Sequence, residues 1–189
     1  NDYISKCITT IKETNADNVG GLAITKGHGF IGRLFSKVLS SKFGVGNSGF
    51  RTNASSGYVD TVPFGTFKRQ NGGQVYLNSN IRLTYYCRNT ISGIIKQSYE
   101  NGKWNVITSK LCPGSMSIRH FIPLIFLLSI IILPVLILFI PNFIQLLIVD
   151  LGLYFILATL FSFKIASKAN EIPVLIILFA LFHISYGVG

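Results

Sequence analysis

The sequence predicts a mixed α/β polar domain followed by two to three transmembrane helices. Three observations carry that prediction. Residues 121–140 form a run of twenty without a charge, and a helix of about 20 apolar residues is what a bilayer core requires. The basic excess is segregated: residues 1–120 hold 15 Lys and Arg against 5 Asp and Glu, whereas residues 121–189 hold two of each sign. Ahead of the apolar block, helical and strand periodicities alternate. The mean hydropathy of +0.50 therefore averages two unlike regions.

Residues 3–13 place Ile4, Cys7, Ile8 and Ile11 on one helical face, with Asp2 at the N-cap. Residues 19–24 read as a short strand containing Gly20-Gly21, and Lys26-Gly27-His28-Gly29 as a turn. Helical period returns over 30–39 with Ile31, Leu34, Phe35 and Val38. Residues 40–57, rich in Gly, Ser and Asn, read as a loop, and 58–69 as an apolar segment that contains Asp60. A strand pair follows, 74–77 and 81–86, with 78–80 as its turn. Residues 90–99 read as an amphipathic helix. Tyr99, Trp104 and Arg119 then suit a headgroup layer.

The apolar block divides into spans at about 121–140, 143–163 and 172–189, with Pro141-Asn142 as a tight turn and Pro134 as a kink. The loop 164–171 carries Lys164 and Lys168. Positive-inside logic places this loop and residues 1–120 in the cytoplasm, against the plasma membrane. Asp150 would cost about 2.5–3.5 kcal/mol at mid-membrane, so it is expected to face protein or lie near a helix end. The third span is short of a crossing. The opening residues already read as helix, so the chain reads as cut at both ends.

Composition narrows the function classes. Cys7, Cys87 and Cys112 are odd in number and lack metal spacing, which points to a reducing compartment. His28, His120 and His183 are too isolated to suggest a metal site. The basic excess fits anionic headgroups, worth about 1 kcal/mol per Lys or Arg near the surface, or a phosphorylated ligand, or simply a solvated face. The basic residues are scattered and no nucleic-acid motif accompanies them, so no nucleic-acid partner is expected. Asp60 is the sole acidic residue between 18 and 99. It reads as a general base or a sugar-orienting group, and equally as a turn cap or a partner of Arg69. Trp104 stacks on a sugar or nucleotide face in one reading and anchors at the headgroups in the other.

An ordered set of motifs is more specific than any one of them. Asp17-Asn18-Val19-Gly20-Gly21, then residues 41–48 (Ser-Lys-Phe-Gly-Val-Gly-Asn-Ser), then residues 57–69 with Asp60, Pro63, Phe64, Gly65 and Arg69, resemble the family 2 glycosyltransferases of the succinoglycan-biosynthesis type. Residues 85–88, 97–104 and Arg119-His120 resemble the same family's junction before its membrane helices. Residues 182–189 resemble its final membrane segment. Gln97 and Trp104 loosely resemble the Gln…Arg-Trp motif of related synthases, with Lys103 in place of the Arg.

The resemblance implies a GT-A fold, a nucleotide-sugar donor and a polyprenyl-linked acceptor at the cytoplasmic face. It also implies a divalent metal, Mg or Mn, held by an Asp-x-Asp motif, and inversion at the anomeric carbon assisted by a carboxylate base. By this resemblance Pro63, Phe64, Gly65, Arg69, Gln97 and Trp104 line the acceptor side, and Asp60 is the candidate catalytic carboxylate. The chain departs from the pattern in two places. The donor half and Asp-x-Asp would precede Asn1, and the usual base motif is expected between Arg69 and Asn71, where Gln70 stands. The expectation is thus a partial GT-A-like domain over 1–120 and a membrane part over 121–189, which by itself does not turn over nucleotide sugar. The alternative is a non-catalytic, membrane-anchored basic module that binds anionic lipid or an intact transferase.

Overall fold

The structure is a computed structural model that describes residues 2–52, 55–59, 61–67, 73–111 and 118–189. Asp60, Arg69, Gln70 and Cys112 lie outside the described residues, as does the side chain of Arg119.

The polar region is α/β. Helix α1 (Asp2–Thr14) has Asp2 inside its first turn, paired with Lys6 at 3.2 Å. Strand β1 (Asn18–Lys26) and helix α2 (Gly29–Leu39) follow. A short helix, α3 (Lys42–Val45), stands within the stretch expected to be loop; Ser41 Oγ caps it by accepting from the Gly44 N–H at 3.0 Å. Strands β2 (Gly57–Val59) and β3 (Thr66–Phe67) come from the apolar segment 58–69. Strand β4 (Val75–Tyr86) completes a mixed four-stranded sheet of order β2-β4-β1-β3, with β4 parallel to β1 and both outer strands antiparallel to their neighbours.

The expected hairpin of 74–77 and 81–86 is instead this one twelve-residue strand. Its register against β1 jumps from Gly21↔Asn78 to Leu22↔Arg82, so residues 79–81 bulge while both halves stay paired. Asn78 holds the bulge, its Oδ1 accepting from the Asn80 N–H at 2.9 Å and its Nδ2 donating to Thr10 Oγ1 at 2.8 Å. A side chain at Gly21 would collide with the Ile81 carbonyl, so glycine admits the close approach. The turn chemistry of 78–80 is real, but β1 alongside converts a reversal into a bulge.

Helix α4 runs over Ile91–Leu111, well past the expected end, and Thr90 Oγ1 caps it by accepting from the Gly93 N–H. Helix α5 (Ile122–Ile137) follows a 3-10 turn and ends before Ile140, making it shorter than the charge-free run suggests. Helix α6 (Phe143–Ile165) and helix α7 (Ile172–Val188) complete the chain. By length and composition, α6 and the stretch Ala169–Val188 suffice to cross a membrane. Pro134 sits in the last turn of α5.

Two cores hold these elements. The smaller, of Cys7, Ala16, Val19 and Ile81, packs α1 on the sheet. The larger joins Leu34, Phe35, Val38 and Leu39 of α2 and its end, Cys87, and Ile94 of α4 to Leu175, Leu178, Phe179 and Phe182 of α7. The apolar C-terminal helix therefore shares its core with the polar domain.

Candidate functional site

A cavity of about 950 Å³ opens where the segment 42–51, helix α4 and the helices α5, α6 and α7 meet. Its lining includes the polar residues Lys42, Arg51, Asn101, Asn105, His120 and Asp150 and the apolar residues Phe43, Ile125, Phe126, Leu153 and Phe182. The lining thus combines cationic and hydrocarbon surface, and the volume is near the upper end of ordinary ligand pockets.

Arg51 is a charged group of this lining set among aromatic rings. Its guanidinium stands 4.8 Å from the Tyr85 ring centroid and 5.2 Å from that of Phe50. It donates to Thr25 Oγ1 at 3.4 Å. Burial lowers its pKa, and the neighbouring Tyr85 opposes that shift. No carboxylate pairs with it among the described residues. A cation held between aromatic faces at a cavity wall is suited to an anionic group.

The segment carrying Arg51 is pinned at both ends. Ala23 of β1 donates its N–H to the Phe50 carbonyl at 2.8 Å. At the other end the Phe43 ring enters the apolar helices, 5.0–5.5 Å from the rings of Phe179, His183, Phe161 and Tyr154. His183 Nε2 donates to the Gly44 carbonyl at 3.3 Å, which leaves Nδ1 to accept from the Tyr154 hydroxyl at 3.0 Å. Also in the lining, Ser129 Oγ lies 2.6 Å from Asp150 Oδ2. Asp150 thus faces protein, as its position inside an apolar helix requires.

Trp104 lines the cavity, with more than half of its surface exposed. Gln97 stands behind the wall: its Nε2 donates to the Tyr85 hydroxyl at 2.5 Å, and Tyr85 carries the Arg51 guanidinium. Gln97 Oε1 is buried without a partner among the described residues. Pro63, Phe64 and Gly65 are placed elsewhere. The Tyr3 hydroxyl donates to the Pro63 and Phe64 carbonyls, and Gly65 closes against Asn18, so this turn belongs to the α1–β1 corner. Phe64 has a positive φ of 48° and is largely exposed. Asp60 and Arg69 fall outside the described residues. Among those residues no three His, Cys, Asp or Glu side chains cluster, so none forms a cradle for the divalent metal implied by the resemblance.

Sequence reasoning missed Arg51, Phe43, Tyr154 and His183 as site residues. For Arg51 a signal existed: with Lys42 it is one of two basic residues in the Gly-, Ser- and Asn-rich stretch 40–57. For the others, aromatic residues among apolar neighbours carry no mark of what they face. Comparison with known proteins gives no match: no family model, curated protein or solved structure aligns significantly with the chain.

Proposed function

We propose that the chain is the acceptor-side and membrane-side part of a glycosyltransferase of exopolysaccharide biosynthesis, acting at the cytoplasmic face of the plasma membrane. It would use a nucleotide-sugar donor and a polyprenyl-linked acceptor. The cavity is the observation that carries this reading. Its Lys42 and Arg51 suit the phosphate of a lipid carrier, its apolar side chains suit the first isoprene units, and the half-exposed Trp104 suits the face of a sugar. The ordered motifs supply the reaction class. In that reaction an acceptor hydroxyl attacks the anomeric carbon, the bond to the nucleoside diphosphate breaks, and a carboxylate takes the hydroxyl proton. The residues that line the cavity would bind and orient the acceptor.

The test is photocrosslinking in lipid nanodiscs with a photoactivatable polyprenyl-diphosphate saccharide. Labelling should concentrate in residues 41–51, 101–108 and 122–129, and should fall several-fold in Trp104→Ala. Even labelling along α6, or equal competition by plain anionic phospholipid, would defeat the acceptor reading and favour the lipid-binding module.

A further inference from the structure

Helix α7 is apolar enough to be read as a membrane span, yet its contacts describe a different placement. At its N-terminal end Glu171 pairs with Lys37 of α2 at 2.7 Å. One turn on, Leu175, Leu178 and Phe179 enter the core built by α2. At its C-terminal end the Tyr186 hydroxyl bonds Asn105 of α4, and the Tyr186 backbone carbonyl comes so near Gly102 that any side chain there would collide with it. Both ends of the helix therefore rest on the same polar domain.

A spanning helix needs its two ends on opposite faces of a hydrocarbon layer about 30 Å thick. The helices beneath α7 cannot enter that layer with it: α2 exposes Arg33, and α4 exposes Lys96, Lys103 and Lys110. Ionised side chains are not accommodated there without partners. The exposed residues of α7 form a stripe, Pro173, Ile177, Ile184 and Val188, all apolar. The spacing of four, seven and four residues keeps them on one face. Helices α5 and α6 both pack against α7, and each exposes apolar residues of its own, among them Ile125 and Ile132 of α5 and Leu153 and Phe155 of α6.

We propose that α7 lies along the membrane surface as an interfacial helix, with its Ile177–Ile184–Val188 stripe against the acyl chains. The hairpin of α5 and α6 is then the part that enters the bilayer. Lipid is the occupant of the stripe because α7 packs directly against α6, a helix long and apolar enough to cross a membrane whose large side chains are likewise exposed. Two consequences follow. Gly189 emerges on the same side as residue 2, and the cavity, one wall of which is α7, opens at headgroup depth. This placement does not depend on the sugar-transfer reading.

The first test uses the native chain with a reporter after Gly189, either a phosphatase active only outside the cytoplasm or a fluorescent protein active only within it. The inference expects the fluorescent fusion to be active and the phosphatase silent, with residues 2–52 protected from external protease in the same cells. An active phosphatase while residues 2–52 stay protected, placing the two ends on opposite sides, overturns it; both ends exposed would keep the inference and reverse only the orientation. The second test places spin labels in nanodiscs at Ile177→Cys, Ile184→Cys and Val188→Cys, with Cys7, Cys87 and Cys112 replaced by Ala. An interfacial helix gives the three labels one depth. A spanning helix separates them by about 10 Å and then about 6 Å along the normal, from the rise of about 1.5 Å per residue. Strong dipolar coupling between copies with low oxygen accessibility would show a second chain covering the stripe, and would also overturn it.

Discussion

Helices α6 and α7 look alike in sequence and differ in what covers them. Over its 23 residues α6 buries Ala158 and Ser162, both small. Over its 17 residues α7 buries Leu175, Leu178, Phe179, Phe182, His183 and Gly187. Large residues such as Phe155 and Phe163 of α6 stand 60% and 63% exposed, whereas Phe179 of α7 is fully enclosed. Burial against protein and burial in lipid make the same demand on composition, because acyl chains and a protein core are both apolar. Hydropathy thus tells where water is excluded without telling what excludes it.

The sharpest break of this contrast is a pair of matched truncations. Phe179→Ala should cost about 3–5 kcal/mol, the usual range for emptying a core phenylalanine site. Phe155→Ala should stay within about 0.5 kcal/mol, as a surface change does. Thermal unfolding of both variants in the same detergent checks this, and equal midpoints would erase the distinction between the helices. A smaller loss is expected from Gly102→Val, which forces α4 and α7 apart where the Tyr186 carbonyl sits. Overpacking of this kind costs about 1–3 kcal/mol, and protease sensitivity near residue 189 should rise with it. At Gly152 of α6, where a side chain meets open space, the same Gly→Val change should leave proteolysis unaltered.

His183→Phe keeps the ring and removes the bond to the Gly44 carbonyl. Leaving that buried acceptor unpaired should cost about 1–3 kcal/mol, and chemical labelling of 41–51 should increase as the segment loosens. The smallest change is expected from Lys37→Met. It breaks the pair with Glu171 at a partly exposed site, where such pairs contribute little. Whatever effect the low-salt melting curve shows should vanish at high salt.

Much of the fold was legible because local periodicity and capping agree with the final packing. Cys7 and Ile11 of α1, the strand over 19–24 and the helix through Leu34, Phe35 and Val38 stand where their patterns place them, whereas Ile4 and Ile8, expected on the same face as Cys7, are exposed. The misreadings have one cause. Asn78–Asn80 has the chemistry of a turn, and the helix from 90 was expected to end at 99, yet each answers to a distant neighbour: β1 in the first case and α7, whose Tyr186 carbonyl meets Gly102, in the second. The site was less legible still. Trp104 is prominent as the single tryptophan, but the Arg51 guanidinium acquires its setting from Tyr85, and His183 its partner from Gly44, residues 34 and 139 positions away.

The sequence by itself determined the segregation of charge from the apolar C-terminal block, the mixed α/β character of the polar region and the identity of the long apolar helices. These follow from composition and period, which act over a few turns of chain. Tertiary structure decided that 75–86 is one bulged strand, that Phe43 plugs the apolar helices, and that α7 belongs to the core of the polar domain. Each depends on a surface supplied by chain far away in sequence, and a side chain's apolar character does not specify which apolar surface it will meet.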